Sequence, residues 1–166
     1  AKGLKHKLYE QLVAEAVLVS DFRPNLRAKM MDEILDNNGY FRGHADYEVI
    51  DQKNPKKAKI SYKVLTGPAY TLDSIWLLPD TCRLNHLIDS IASRDPYLRP
   101  GMRYSTDSLS AVRTRVANKL RNRGYYFFKP EFIEYLADSV AKPLSIDLRM
   151  ALASNVAKPL LQCYTV

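Results

Sequence analysis

The spacing of apolar residues predicts two amphipathic helices in the second half of the chain. One apolar face follows the i, i+3, i+4, i+7 rule of a helix and consists of Leu84, Leu87, Ile88 and Ile91. A second face with helical spacing consists of Leu109, Val112, Val116 and Leu120. The cations expected to point outward from this second helix are Arg113, Lys119 and Arg123. The predicted helix caps are Asp80 or Thr81 for the first helix and Ser105 or Thr106 for the second.

Three β-prone segments flank these helices. An opening strand is predicted over residues 70–78, a strand over 125–135 and a last strand over 144–150. Pro130 indicates that the strand over 125–135 lies at an edge of the sheet. The strand over 144–150 alternates apolar residues and has no proline, which suits the central position in the sheet. Gly124 is expected to end the second helix in the left-handed conformation. The predicted order is β-α-α-β-β, an α+β module in which two helices cover one face of a three-stranded mixed sheet.

The chain also repeats itself. Gly39-Tyr40-Phe41 recurs as Gly124-Tyr125-Tyr126, an offset of 124 − 39 = 85. Tyr70-Thr71-Leu72 recurs as Tyr164-Thr165-Val166, an offset of 164 − 70 = 94. The preserved order of these pieces indicates tandem modules.

The first unit ends with the same predicted elements as the second, namely a helix followed by two strands. It reads as a helix over residues 22–37, a stop at Gly39 and strands over 44–50 and 59–65. No opening strand precedes it, only a helical stretch whose apolar face is Leu4, Leu8, Leu12 and Val13. We therefore predict a first module over residues 1–69 that lacks its opening strand, a complete module over 70–163 and the start of a following unit at 164–166. The chain is expected to be a window from a longer array.

Polar and charged residues in the hairpin strand of each unit, together with Pro130 in the second unit, mark that strand as an exposed edge of its sheet. Such an edge has free backbone groups and can accept an extended segment of a partner as an added strand. The candidate protein-binding residues of the first unit are His44, Ala45, Asp46, Tyr47, Glu48, Val49 and Ile50. Those of the second unit are Glu131, Phe132, Ile133, Glu134, Tyr135 and Leu136.

Several sequence motifs resemble those of a known protein family. They are the helix ends Asn-Gly39-Tyr-Phe and Arg-Gly124-Tyr-Tyr, the stretch Tyr62-Lys-Val-Leu-Thr-Gly67-Pro-Ala-Tyr70, and Leu98-Arg-Pro-Gly101-Met-Arg-Tyr104-Ser105. With the β-α-α-β-β order, they resemble POTRA (polypeptide-transport-associated) domains, above all those of BamA- and TamA-like outer-membrane proteins. The resemblance covers nearly the whole chain and is weakest over residues 1–19.

The resemblance implies tandem periplasmic domains of an outer-membrane protein from a Gram-negative bacterium. It implies a parent chain that continues into a membrane β-barrel. The implied partners are unfolded outer-membrane protein clients, accessory assembly proteins or both. The implied role is binding without catalysis or cofactors.

Charge distribution bears on a second class, a basic α+β module that binds nucleic acid. The net charge is +7, yet residues 1–69 carry 12 basic and 9 acidic residues and residues 70–166 carry 13 and 9. The charge is therefore mild and spread out, and neither a Gly-x-x-Gly loop nor an RRM signature is present. We expect no nucleic-acid partner. A third interpretation is a structural spacer that binds no client.

Other residues are interpreted structurally. Four aromatic residues that follow the helix ends are expected to pack these ends against the sheet, in the core or partly so, rather than to form a surface that binds clients. They are Tyr40, Phe41, Tyr125 and Tyr126. The basic face Arg113, Arg115, Lys119, Arg121 and Arg123 is expected to be solvated rather than to bind phosphate or an acidic partner. The acidic group Asp32, Glu33 and Asp36 is also expected to be solvated. Neither the three histidines nor Cys82 and Cys163 have ligand-like spacing. No nucleophile elbow is present, so we predict neither a metal site nor an enzyme.

Overall fold

The computed structural model describes residues 18–54, 57–79, 82–140 and 142–164. The predicted helical stretch around Leu8 lies outside these residues, as do the proposed caps Asp80 and Thr81. Two compact units are present. One consists of the described part of residues 1–31 with Ala45–Val64, and the other of Asp32–His44 with the described part of residues 65–166. The boundary proposed at residues 69 and 70 stays a prediction.

The first elements of the described residues are α1 (Val19–Phe22), α2 (Pro24–Asn37), β1 (His44–Asp51) and β2 (Ala58–Leu65). Strands β1 and β2 form a two-stranded sheet. The helix predicted over residues 22–37 is interrupted at Arg23, which has φ 46° and ψ 63°. The proline that follows Arg23 disfavours the right-handed helical region for it, so a new helix begins at Pro24.

The later elements are β3 (Thr71–Trp76), α3 (Arg83–Ala92), α4 (Thr106–Arg121), β4 (Ile133–Asp138) and β5 (Ser145–Leu152). The strand order is β3-β5-β4, with β3 parallel and β4 antiparallel to β5. The predicted β-α-α-β-β order, the mixed sheet and the central last strand are confirmed. Among the described residues, no helix is long and apolar enough to cross a membrane.

One face of this sheet is covered by α3 and α4. The residues with helical spacing meet the inward residues of the strands in one core, which includes Ile88, Val112, Val116, Leu120, Leu72, Ile146, Leu148 and Met150. The predicted core faces are therefore confirmed, although Leu87 is only partly buried. Burying one such side chain contributes about 1.5–3 kcal/mol to the stability of the fold. Because the strands carry these buried side chains, the packing also fixes the positions of the sheet edges.

Helix ends follow the expected chemistry in part. Ser105 is the N-cap of α4, and its hydroxyl accepts a hydrogen bond from the Ser108 N–H at 3.4 Å. Helix α3 begins instead after Cys82, whose side chain makes no capping hydrogen bond. Gly39 and Gly124 have φ of 81° and 93°, as predicted for left-handed residues just past a helix.

The strand predicted over residues 125–135 is wrong for residues 125–132. After Gly124 the chain turns, the Phe128 N–H donates to the Tyr125 carbonyl at 3.0 Å, and Pro130–Phe132 forms a 3₁₀ turn. The cause is packing, because Phe128 is fully buried in the core and Pro130 fits the first position of a helical turn. The strand begins only at Ile133. Glu131 and Phe132 are therefore not strand residues, which corrects the candidate edge.

Candidate protein-binding edge

The three-stranded sheet has two edge strands, and the chain itself covers the start of one of them. Along β3, the Leu72 N–H donates to the Met102 carbonyl at 2.8 Å, and the Leu72 carbonyl accepts from the Gly101 N–H at 2.7 Å. The Tyr104 N–H donates to the Tyr70 carbonyl at 3.0 Å. These bonds use the outer backbone groups at the start of β3. An added strand has little room there.

Strand β4 has an outer edge with which no strand of the described residues pairs. In an antiparallel pair, successive residues alternate between bonding the partner strand and pointing away from it. The Phe132 carbonyl accepts from the Ala153 N–H at 2.9 Å, immediately before the register pair Ile133 and Leu152. The backbone groups of Tyr135 and Ala137 therefore point away from β5. The N–H of Ile133 is used by the Pro130 carbonyl, which leaves its carbonyl on the outer side.

The side chains of β4 alternate as a sheet edge requires. Ile133 is fully buried toward the helices, whereas Leu136 is 57% exposed on the opposite face. Glu134 and Asp138 are exposed on the same face as Leu136. Sequence reasoning did not place Ala137 and Asp138 in the strand, although the turn-forming Asp138-Ser139 could have indicated that the strand continues to that point.

Tyr135 anchors the edge strand from the helix side. The Cζ atom of Arg113 lies 5.0 Å from the centre of its ring, a cation–π distance. Burial raises the pKa of the Tyr135 phenol well above its usual range, although the nearby Arg113 charge acts in the opposite direction. Neither the Tyr135 hydroxyl nor the Arg113 Nε has a hydrogen-bond partner among the described residues. The Tyr135 side chain is thus held by packing rather than by a hydrogen bond of its hydroxyl.

The basic face of α4 is not a uniformly solvated surface, which corrects the expectation for Arg113 and Arg115. Arg115 donates two hydrogen bonds to the buried Asp95 carboxylate, at 2.7 and 2.8 Å. Its Cζ atom lies 5.2 Å from the centre of the Tyr97 ring.

The Asp95 carboxylate is stabilised in its charged form. Burial alone would raise the pKa of Asp95, but hydrogen bonds from Arg115 and from the Tyr97 backbone, with the Arg115 and Lys119 charges, bring it below its ordinary value. Three cations of the α4 face remain exposed, namely Lys119, Arg121 and Arg123. Two of the five candidate phosphate-binding cations are therefore committed to contacts within the fold.

The candidate edge of the first unit is the strand β1, as expected. All its side chains from His44 to Asp51 are exposed except Ala45. The Tyr47 N–H donates to its neighbour Asp46 at 2.7 Å. Because a two-stranded sheet is marginally stable by itself, an additional strand here would also stabilise the hairpin. Binding at β1 stays a prediction.

The four aromatic residues predicted to pack the helix ends against the sheet differ in how deeply they are buried. Tyr125 is buried and Tyr126 is half exposed. The Phe41 ring packs edge-on against Tyr70, with centroids 5.1 Å apart, and Tyr40 lies below the Arg103 guanidinium at 5.7 Å. Tyr126 is thus the one most exposed of the four.

The described residues contain no group of three His, Cys, Asp or Glu side chains that could hold a metal ion. The surface feature next to the open edge is a depression of about 270 Å³, lined by Trp76, Leu136, Ala137, Asp138, Asp147 and Arg149. Sequence reasoning missed Trp76 and Arg149 as surface residues beside β4. The strict alternation of the last strand could have indicated that Arg149 faces away from the core.

The second unit is thus a small α+β domain with two helices on one face of a β3-β5-β4 sheet. Among the described residues, no strand pairs with its β4 edge, whereas the start of its β3 edge is covered. Solved structures share this fold. The POTRA 3–5 region of BamA from Haemophilus influenzae matches with a TM-score of 0.52 and 17% identity, over 93% of this chain and 62% of that one. BamA from Haemophilus ducreyi lacking POTRA domains 1–3 matches with a TM-score of 0.50 and 15% identity, over 92% of this chain and 27% of that one.

At these identities the comparison establishes the fold, which is POTRA-like. This chain spans less than two thirds of either matched structure. No protein-family model matches the sequence, and no curated protein matches it.

Proposed function

We propose that this chain is a periplasmic protein-binding part of an outer-membrane protein assembly or translocation factor. It binds extended client or accessory polypeptides by strand addition and performs no catalysis. The observation that carries the proposal is the contrast between the two sheet edges, since the start of β3 is covered by residues 101–104 and β4 is open. The POTRA-like fold supports the cellular context.

Backbone hydrogen bonds would supply the affinity. The outward N–H and carbonyl groups of Tyr135 and Ala137, with the carbonyl of Ile133, form the available ladder. Because main-chain groups are common to every sequence, this mode accepts many clients. One short strand buries less surface than a standard interface, so we expect a Kd of about tens of micromolar or weaker.

The edge is also pre-ordered for binding. Ile133 is fully buried, and Tyr135 is packed beneath Arg113. A strand that is already fixed by its core side chains loses little conformational freedom when a partner pairs with it. The affinity therefore depends mainly on the ordering of the client.

Charge is not the source of binding in this proposal. Arg113 and Arg115 are occupied by Tyr135 and Asp95, which weakens the case for a phosphate-binding helix face. Backbone pairing should largely survive physiological salt, whereas binding to exposed cations weakens steeply as salt rises.

The test is amide NMR of the labelled chain titrated with a peptide taken from an outer-membrane β-strand, at low and at physiological salt. We expect shifts at Tyr135 and Ala137 that persist at the higher salt, with residues 101–104 little affected. Shifts confined to Lys119, Arg121 and Arg123 that vanish with salt would reject the proposal.

Two variants at one position sharpen this test. Ala137→Pro removes an outward N–H that β5 does not use, and edge strands tolerate proline at such positions. Ala137→Val retains the N–H and serves as the matched control. We expect the proline variant to fold and lose most peptide binding, and the valine variant to bind as the parent does. Equal binding by both variants would place the client elsewhere.

A further inference from the structure

A row of three side chains crosses the sheet face that α3 and α4 leave open. Trp76 is the register partner of Arg149, and Arg149 is in turn the register partner of Leu136. The Arg149 Cζ atom lies 5.8 Å from the centre of the Trp76 ring. Trp76 and Leu136 are 47% and 57% exposed. The row ends at Leu136, because β4 is the edge of the sheet.

Carboxylates flank the end of this row. Glu134 and Asp138 lie two residues to either side of Leu136 and share its face. Asp138 is the register partner of Asp147, and like charges that face each other directly on a sheet are destabilising. Neither of these two aspartates forms an ion pair with another described residue. Three carboxylates, Glu134, Asp138 and Asp147, thus share this end of the sheet face with the single Arg149 cation of the row, although Lys142 also interacts with Asp147. They carry negative charge at the edge of a chain whose net charge is +7.

The hydrogen-bond alternation determines which side chains a client would meet. Tyr135 and Ala137 offer the outward backbone groups, so they take the hydrogen-bonded positions of an added antiparallel strand. Glu134, Leu136 and Asp138 then take the non-hydrogen-bonded positions, where opposing Cα atoms approach to about 4.5 Å and side chains contact most closely. Each of these three side chains therefore faces one client residue.

We propose that the β4 edge selects extended segments with the pattern basic–x–apolar–x–basic on one face. This inference rests on the strand addition proposed above and names the class of client. The central apolar residue packs on Leu136 and extends the row from Trp76. The two basic residues face Glu134 and Asp138, and the second relieves the opposition of Asp138 and Asp147.

Two seven-residue peptides test the charge preference. Thr-Lys-Thr-Trp-Thr-Lys-Thr carries the proposed pattern, and Thr-Glu-Thr-Trp-Thr-Glu-Thr reverses both charges. We expect the lysine peptide to bind about fivefold more tightly at low salt, since two cross-strand charge pairs contribute modestly. The amide shifts of Tyr135 and Ala137 report in each titration whether binding is at β4.

The complementary experiment reverses the two charges in the protein instead of in the peptide. Glu134→Lys combined with Asp138→Lys should invert the preference, so that the glutamate peptide binds more tightly. The matched control is Glu33→Lys, which changes an exposed carboxylate of α2 and should leave the lysine peptide preferred. An unchanged preference in the double variant would overturn the inference.

The apolar position is tested by a third peptide with threonine in place of tryptophan. We expect its affinity to fall severalfold in the parent chain and little in Leu136→Thr, since threonine keeps strand propensity but removes most of the apolar contact. Equal binding of all three peptides at β4 would refute the selection rule and leave strand addition intact. If no peptide shifts Tyr135 or Ala137, strand addition itself fails.

Discussion

Tyr70 donates its backbone N–H to the carbonyl of Gly39 at 2.8 Å, and Tyr164 donates in the same way to Gly124 at 2.8 Å. Each tyrosine ring also meets a phenylalanine edge-on, Phe41 in the first case and Phe127 in the second. The Gly-Tyr repeat of the sequence is therefore a repeated structural joint. In each copy, the residue just past a helix end is tied to a tyrosine later in the chain.

The left-handed conformation and the tight surroundings of both glycines give the first prediction. A Cβ atom at Gly39 would lie 2.9 Å from the Tyr104 carbonyl oxygen, and one at Gly124 would lie 2.7 Å from that of Tyr164. Gly39→Ala and Gly124→Ala should each lower the free energy of unfolding by about 1–3 kcal/mol, through the left-handed conformation and the close contact together. Urea denaturation measures the change.

Gly101 supplies the control for that prediction. It has a similar φ of 82°, but an added Cβ meets nothing within 4 Å. Gly101→Ala should therefore cost only about 1 kcal/mol, the conformational part alone. Equal losses at Gly101 and Gly124 would show that the close approach to Tyr164 carries no energy.

The second prediction concerns the core between α4 and the sheet. Val116, Leu120, Ile146 and Leu148 are all fully buried. Substitution of any one of them by alanine should cost about 2–5 kcal/mol, with Val116 nearest the lower limit. Arg123→Ala, at an exposed position of the same region, should change stability by less than about 0.5 kcal/mol. If the arginine change proves the costlier in urea denaturation, the helix faces are assigned the wrong way round.

The third prediction concerns the ion pair of Asp95 and Arg115. Burial opposes the charged carboxylate, but the hydrogen bonds and the Arg115 charge lower the pKa of Asp95 from 3.8. Because the folded-state pKa is the lower one, the stabilisation is present above the unfolded-state pKa and is lost as pH falls through the folded-state pKa. Asp95→Asn should cost about 1.5–3 kcal/mol at neutral pH.

The measurement is urea denaturation of the parent and of Asp95→Asn from neutral pH downward. The difference in unfolding free energy between the two should shrink as the solution is acidified below about pH 4. Asp36→Asn, at an exposed carboxylate of α2, should show no comparable difference. A gap between parent and Asp95→Asn that stays constant to low pH would assign the effect to shape rather than charge.

Periodicity was sufficient to predict the helices and the central strand, because each element displays its buried face in its own residues. It failed where distant residues decide the structure. Residues 125–132 have strand-forming composition, yet burial of Phe128 turns the chain and delays the strand to Ile133. The pairing of Asp95 with Arg115 joins a loop to a helix, and no local pattern reveals it.

The candidate binding edge was also predicted only in part from the sequence. Charges and Pro130 in the predicted hairpin strand indicated an edge; β4 is an edge, although Pro130 lies in the 3₁₀ turn before it. The row of Trp76, Arg149 and Leu136 depends on the register of three strands that are far apart in sequence. Register is set by the assembled sheet and its core, so the sequence pattern of one strand does not reveal it.

The last prediction concerns the cost of the acidic edge in the unbound protein. Asp138 and Asp147 are register partners. The Asp138 carboxylate also accepts a hydrogen bond from the Val140 N–H at 2.9 Å, and that of Asp147 accepts from the Ser74 N–H at 3.2 Å. Asparagine retains an acceptor oxygen for these bonds and removes the charge. Asp138→Asn should therefore stabilise the fold by about 0.2–0.5 kcal/mol at low salt, and the gain should fade as salt screens the charges.

A double-mutant cycle in urea denaturation separates this repulsion from other effects of the substitutions. Once either aspartate is neutral, the repulsion is gone, so Asp138→Asn together with Asp147→Asn should stabilise by less than the sum of the single variants. If the two gains add fully or persist at high salt, the carboxylates do not repel each other. A gain that is coupled and sensitive to salt would mean that the unbound edge retains a destabilising charge pair, which a basic client residue would relieve.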